Sequence, residues 1–372
     1  MALPPPAKIG DPLDEVDTPA LLLDLDALEA NIRTMQGLAD KAGVALRPHA
    51  KSHKSADIAR LQMQAGAVGV CCQKVSEAEM LAVQGVDDIL VSNQVVGTVK
   101  IDRLARLGRH IRLGVCIDDA GNLAQIAQAA RHQGADLEVL LEIDVGMGRC
   151  GVAADQVAGL CRQIGDTEGV RFGGLQAYEG RAQHIRDHGK RGAAISKAEA
   201  MTRAALAELK GAGIDCPRVT GAGTGSFPFE AASGVWGELQ CGSYVFMDAD
   251  YARIEDASGQ PVSTFRHGLF VLAGVLSIAR PGRAVVDAGL KCMSMESGLP
   301  TIPDFAELDY AGASDEHGTL TTGTSNGPAL GDRIRLIPGH CDPTVNLHDW
   351  YVGIRGGVVE ALWPVTARGA VF

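Results

Sequence analysis

Runs of basic residues are missing from this sequence. Lys and Arg total 34 against 45 Asp and Glu, a formal net charge of −11. A chain this acidic, with no basic cluster, is a poor partner for nucleic acid or an anionic membrane surface. Apolar runs long enough to cross a bilayer are missing too. The opening, Met1-Ala2-Leu3-Pro4-Pro5-Pro6, has neither the basic nor the apolar region of a secretory leader, so a cytoplasmic setting is expected. The nine cysteines are an odd number without framework spacing or a C-x-x-C pair. They are expected as buried reduced thiols rather than disulfides. There is no internal repeat, and the proline-rich opening is the only biased segment.

What is present reads as an α/β enzyme. Hydrophobic residues make up 46% and charged residues 21%, ordinary for a soluble globular protein. The 372 residues are long for a single core, so one large and one smaller domain are expected. Strands are predicted at Ala45–Lys51, Val68–Cys72, Ile89–Asn93, Ile111–Ile117, Leu137–Asp144, Val170–Tyr178, Arg218–Gly221 and Glu238–Tyr244. Helical stretches separate most of them, including Asn122–His132, Ala154–Ile164 and Ala193–Leu209. Apolar strands alternating with helices imply parallel pairing with both faces covered, and eight such units predict a closed (β/α)8 barrel. Asp26 and Glu29 resemble a capping box that opens a helix with Leu28, Ile32, Met35 and Leu38 on its apolar face.

Beyond about residue 250 the texture changes to strands with few helices: Leu269–Ile278, Ala284–Asp287, Arg333–Ile337, Trp350–Ile354 and Val358–Trp363. Gly356-Gly357 reads as a tight hairpin turn. The expected organisation is a barrel over 26–255 and a C-terminal all-β domain over 256–372, completed by a strand from residues 1–25.

Catalytic residues of such barrels sit where strands end. The first strand ends in Arg47-Pro48-His49-Ala50-Lys51, and alternation places Arg47, His49 and Lys51 on one face. Positive neighbours and desolvation there would lower the lysine's pKa, which suits Schiff-base chemistry. Lys54 competes as a solvated loop lysine, and the basic cluster could equally bind an anion. A phosphate cradle is offered by Thr220-Gly221-Ala222-Gly223-Thr224-Gly225-Ser226 and by Gln240-Cys241-Gly242-Ser243-Tyr244. These follow the last two barrel strands, the usual phosphate position of the fold.

Several motifs then match one family in order. They are Arg47–Lys54, Cys71-Cys72-Gln73-Lys74-Val75-Ser76-Glu77, Gly146–Gly151, the Gly221–Ser226 loop and His340-Cys341-Asp342-Pro343. Over almost the whole chain the sequence resembles the D-threonine aldolase group. That group sits with 3-hydroxy-D-aspartate aldolase and D-serine dehydratase among the alanine-racemase-like pyridoxal-phosphate enzymes. The resemblance implies fold type III, a pyridoxal-phosphate barrel plus a β domain, as a homodimer. Carried over by position, Lys51 would bind the cofactor covalently, Gln73 would lie beside it, and Arg149 would approach its ring hydroxyl. Tyr178 would flank it, Thr224, Gly242 and Ser243 would hold its phosphate, and Tyr251 would reach it from the far side.

A His-x-Asp pair suits a borderline-hard divalent ion. By resemblance, His340 and Asp342 would bind Mn²⁺ or Mg²⁺, where related dehydratases carry His-x-Cys and bind Zn²⁺. Cys341, between them, is expected to point away. His184 is the candidate base for the β-hydroxyl of a D-β-hydroxy-α-amino acid, and Asp315 a candidate partner of the metal site. Glu316 and His317 read as turn residues, and His348-Asp349 is a decoy of similar composition. The expected reaction yields glycine and an aldehyde. A 3-hydroxy-D-aspartate substrate would need a further cation, for which Arg181 is the candidate; the segment Asn346–Gly353 also resembles the hydroxyaspartate enzymes. A dehydratase, a cofactor carrier without turnover and a racemase remain as competing readings, the racemase lacking an identifiable second base.

Overall fold

The computed structural model describes residues 4–322 and 327–372. The first three residues of the proline-rich opening lie outside it. Among the described residues, sixteen strands run in chain order. They are β1 Ala20–Asp24, β2 Ala45–Leu46, β3 Val70–Cys72, β4 Asp88–Gln94, β5 Arg112–Ile117, β6 Leu137–Glu142, β7 Val170–Ala177, β8 Val219–Gly221, β9 Glu238–Leu239, β10 Leu269–Arg280, β11 Arg283–Val286, β12 Leu308–Ala313, β13 Gly318–Thr322, β14 Arg333–Leu336, β15 Trp350–Arg355 and β16 Val358–Pro364.

Strands β2 to β9 form a parallel sheet in the order β2-β9-β8-β7-β6-β5-β4-β3. A parallel bridge between His49 and Cys71 closes it into the expected barrel. The second sheet runs β12-β13-β11-β10-β1-β15-β16, with β14 on β10. β1 lies inside it, antiparallel to β10 and parallel to β15. Its run Leu21-Leu22-Leu23 is fully buried, as a central strand covered on both faces requires. All nine cysteines are free. No helix among the described residues is long and apolar enough to cross a membrane.

Several local expectations are corrected. The first helix spans Leu25–Ala42 and is capped by Asp24, whose carboxylate accepts the Ala27 N–H at 2.9 Å. Asp26 and Glu29 instead pair with Arg355. The first barrel strand is shorter than predicted: Pro48 has no N–H to continue the ladder, and Ala50–Ser52 closes a 3-10 turn. The hairpin β12–β13 was not read from the sequence, because its exposed alternate positions and small residues give no apolar run. The Gly356-Gly357 turn is as expected, with both residues at positive φ.

The barrel interior is unusually polar at its lower end. Arg47 bridges Asp88 (2.6 Å) and Glu238 (3.1 Å), while Arg218 binds Glu138 and lies 3.6 Å from Glu238. Cys71, Leu90, Cys116 and Leu140 form an apolar layer. Gln176 and Gln240 pair through both amides, at 2.8 and 3.1 Å. Salt-bridged groups removed from water are costly to separate, because a lone buried charge keeps its desolvation penalty.

Two outcomes follow from buried charge. Arg47→Met removes the cation shared by Glu238 and Asp88, leaving them Arg218 at 3.6 Å and Arg112 at 3.3 Å, and denaturant unfolding should show a loss of up to about 3–5 kcal/mol. Glu230, in the helix Phe227–Ala232 behind the glycine loop, is pushed by burial from 4.5 to about 7. The folded form therefore holds a proton that the unfolded chain releases, so this residue's contribution falls as pH rises from 4.5 to 7 and is level above. Glu230→Gln should remove that slope, gaining up to ~3 kcal/mol on the wild type between pH 5 and 8 by chemical denaturation.

Candidate active site

The C-terminal ends of the barrel strands enclose a cavity of about 360 Å³. Lys51, Gln73, Arg149, Tyr178, His184, Thr224, Gly242, Ser243 and Tyr251 all line it. Positions spread over two hundred residues thus meet in one place, because each follows a barrel strand and the barrel turns every strand end to the same mouth.

Lys51 is delivered by the 3-10 turn Ala50–Ser52 rather than by the strand itself. Its ammonium forms an ion pair with Asp342. Burial alone would neutralise this amine, but the Asp342 carboxylate outweighs it and holds the lysine above its ordinary value. The expectation of a lowered amine is overturned: parity showed the positive neighbours, not the carboxylate arriving from 291 residues away. Asp342 in turn is held well below the usual carboxylate range; burial opposes this, and the charges of Lys51 and His340 prevail.

Arg47, predicted to share the face of Lys51, belongs to the ion cluster at the barrel's other end. His49 does line the cavity. Its Nε2 stands 2.9 Å from the Gln73 amide and 3.1 Å from the Ser92 hydroxyl, so it fixes Gln73. Burial, then the charge of Lys51, keeps His49 neutral. Lys54 is not the solvated lysine expected. It is buried, pairs with Glu77 at 2.9 Å, and donates to the carbonyls of Ala367 and Ala370.

Arg149 stands over the Tyr178 ring, 5.7 Å from its centroid, and its nearest carboxylate, on Glu142, is 3.9 Å away. The Tyr178 phenol is raised by burial against the pull of Lys51.

The two glycine loops meet at one edge of the cavity, where the Thr224 hydroxyl accepts the Tyr244 N–H at 3.0 Å. The backbone N–H groups of Thr224, Gly242 and Ser243 donate to no group of the chain among the described residues. The Ser52 hydroxyl is buried without a partner beside them. A side chain at Gly242 would strike Ser52 Oγ at 2.4 Å, and one at Gly223 would strike Gln183 at 2.5 Å. Gln183 was not singled out in the sequence. Its amide accepts the Gly225 N–H (2.9 Å) and donates to Ser226 Oγ (2.7 Å), which donates to Glu230 (2.7 Å).

His340 and Asp342 lie at the start of a short helix, Cys341–Val345. His340 Nδ1 bonds Asp248 Oδ2 at 2.8 Å. Asp248, His340 and Cys341 bring their ligand atoms within 4.8 Å of one another. The Cys341 sulfur is turned to Asp342 Oδ1, at 3.3 Å. His184 closes the 3-10 turn Gly180–His184, and its Nδ1 bonds Asp250 Oδ2 at 3.0 Å. Asp250 also holds Arg186, whose hydrogen bond outweighs burial and keeps the carboxyl below its usual range.

The remaining candidates fall elsewhere. Asp315, Glu316 and His317 form the exposed turn between β12 and β13, where Glu316 pairs with Lys291. His348 bonds the Cys292 carbonyl at 2.7 Å and Asp349 pairs with Arg368. Arg181 is exposed and outside the cavity lining.

Residues 23–250 match the family model "Alanine racemase, N-terminal domain", and residues 268–354 match "Putative serine dehydratase domain". The chain is 49% identical to D-threonine aldolase of Arthrobacter sp, covering 99% of this chain and 97% of that one. It is 47% identical to 3-hydroxy-D-aspartate aldolase of Paracoccus denitrificans (strain Pd 1222), covering 98% and 95%. The crystal structure of D-threonine aldolase from Filomicrobium marinum superposes with a TM-score of 0.96 at 49% identity, over 99% of this chain and 100% of that one. A closed barrel carrying its polar residues at one mouth, and full-length similarity to proteins of the same architecture, lead to one conclusion: the chain belongs to the alanine racemase N-terminal domain family.

Proposed function

We propose that this protein is a pyridoxal-phosphate- and divalent-metal-dependent aldolase. It would cleave D-β-hydroxy-α-amino acids of the D-threonine type to glycine and an aldehyde. The observation that carries this reading is the contact between Lys51 and Asp342, at the mouth of a cavity that His184 also lines. An amine suited to hold a cofactor, an anionic side chain suited to hold an ion, and an imidazole thus stand together.

The residues present fit the cofactor. The cavity is large enough, three backbone N–H groups and the Ser52 hydroxyl await acceptors, and Gly242 leaves room that any side chain would fill. Lys51 would attach it, Thr224, Gly242 and Ser243 would take its phosphate, and Gln73, Arg149, Tyr178 and Tyr251 would border it. Bound there, pyridoxal phosphate supplies an electron sink for the charge left on Cα when the Cα–Cβ bond breaks. The donors also fit a divalent ion, an imidazole at His340 and a carboxylate at Asp342 held below its usual range. Such an ion lowers the pKa of a bound hydroxyl.

The overall reaction moves one proton from the β-oxygen to the α-carbon. His184 is the residue proposed to take it. With Nδ1 committed to Asp250, Nε2 is the nitrogen left to meet the substrate. Arg149, half-exposed and with no carboxylate within hydrogen-bond reach, is the cation available to a substrate or ring oxygen. The exclusion of Arg181 from the cavity removes the proposed site for a second substrate carboxylate, which favours a D-threonine-type substrate over 3-hydroxy-D-aspartate. The motif resemblance is what supports Mn²⁺ or Mg²⁺ as the ion and a homodimer; the acidic composition and the free cysteines support a cytoplasmic setting.

A product assay with D-threonine and 3-hydroxy-D-aspartate tests the reading. Glycine and acetaldehyde should appear in equal amounts from D-threonine, and chelation of divalent ions should stop the reaction. Ammonia with a keto acid would instead establish a dehydratase. Lys51→Ala should abolish the borohydride-trapped cofactor peptide. Asp342→Asn should retain cofactor absorbance while kcat falls by about two orders of magnitude or more.

A further inference from the structure

Asp248 is completely buried, yet among the described residues no lysine or arginine pairs with it. It reaches its position through a strained step, since Met247 before it holds a φ of +54°. Three segments converge on its carboxylate. Oδ2 accepts from His340 Nδ1 at 2.8 Å and from the Cys341 N–H at 2.9 Å. Oδ1 accepts the Tyr251 N–H at 2.9 Å. A carboxylate taken out of water needs a compensating cation, and here the one group placed to convey it is the His340 ring.

We infer that Asp248 is the positioning residue of the metal centre. It accepts the Nδ1–H of His340, which fixes the tautomer and leaves Nε2 as the ligand atom. It also ties the start of the helix that carries Asp342 to the Tyr251 turn on the cavity wall. The ion's charge is balanced through the imidazole by a carboxylate that does not touch it. This rests on His340 and Asp342 being the ligands, as proposed above.

The competing arrangement is a site made of Asp248, His340 and Cys341 themselves. The hydrogen bonds oppose it. Asp248 already accepts three N–H groups, which commits both its oxygens to the chain. Outer carboxylates on a ligating histidine typically change metal affinity 10–100-fold when removed.

The experiment is Mn²⁺ titration of cofactor-loaded enzyme after chelator treatment, read by electron paramagnetic resonance of the free ion. Asp248→Asn should bind Mn²⁺ about 10–100-fold more weakly than wild type. Its cofactor absorbance should be unchanged, and excess Mn²⁺ should restore its activity. Asp248→Ser, which keeps a smaller acceptor, serves if the asparagine variant does not fold, and the same loss is expected. Cys341→Ala should leave affinity unchanged; a loss equal to that of Asp248→Asn would make the three-residue cluster the site and overturn the inference. Binding that is lost in His340→Ala but unchanged in Asp248→Asn overturns the inference alone. Binding that survives His340→Ala overturns the ligand assignment, and the inference with it.

Discussion

The ion pair between Lys51 and Asp342 joins the two halves of the molecule at the point where chemistry is expected. One partner closes the first barrel strand and the other opens a helix beside the second sheet. Each charge offsets the other. The pair in turn demands that both segments be held to within a side chain's tolerance. The Tyr351 hydroxyl donates to the His53 carbonyl at 2.6 Å, and the Ala56 N–H to Thr366 Oγ1 at 3.2 Å. Lys54 reaches the carbonyls of Ala367 and Ala370. The C-terminal residues are pinned further along the barrel, where Ser76 Oγ donates to the Phe372 carbonyl at 2.5 Å. Residues 51–56 therefore act as a seam, and the lysine is positioned by the second sheet as much as by the barrel.

This explains how much of the site was legible in the sequence. The barrel was legible because apolar strands alternating with helices leave a periodic trace. Strand ends made Lys51 and the two glycine loops candidates; the choice of Lys51, and the roles of Tyr178, Thr224 and Ser243, came from the resemblance. The electrostatic state of Lys51 was not, because its pKa is decided by a carboxylate far away in the chain. Lys54 was misread for the same reason: its partners are Glu77 and two carbonyls near the C-terminus, which no local pattern announces. Asp24 displaced Asp26 as helix cap through a single-residue boundary shift, the least legible feature of any helix.

Gln183 and Asp248 show a further limit. Each is an ordinary polar residue in its local sequence. Gln183 gains significance from its bonds to Gly225 and Ser226, and Asp248 from Tyr251, His340 and Cys341. A signal was nevertheless available for Asp248. The run Asp248-Ala249-Asp250-Tyr251 puts two carboxylates just beyond the last barrel strand. Each ends up orienting one histidine, His340 or His184.

Buried carboxylates in this molecule are accommodated in three distinct ways, and the contrast gives each a meaning. Asp342, Glu77 and Glu238 stand against a lysine or arginine, so their charge is met inside the protein. Glu230 has no cation, one oxygen lacks any partner, and burial raises it to about 7; it escapes its penalty by taking up a proton. Asp248 does neither. It accepts three N–H groups, and its sole ion-pair partner among the described residues is an imidazole. His340 is accordingly raised above its ordinary value, burial being overcome by the hydrogen bond to Asp248 and the nearby charge of Asp342. Two carboxylates thus draw positive charge onto one ring at the cavity's edge. The same two carboxylates would favour the proposed divalent ion at that ring.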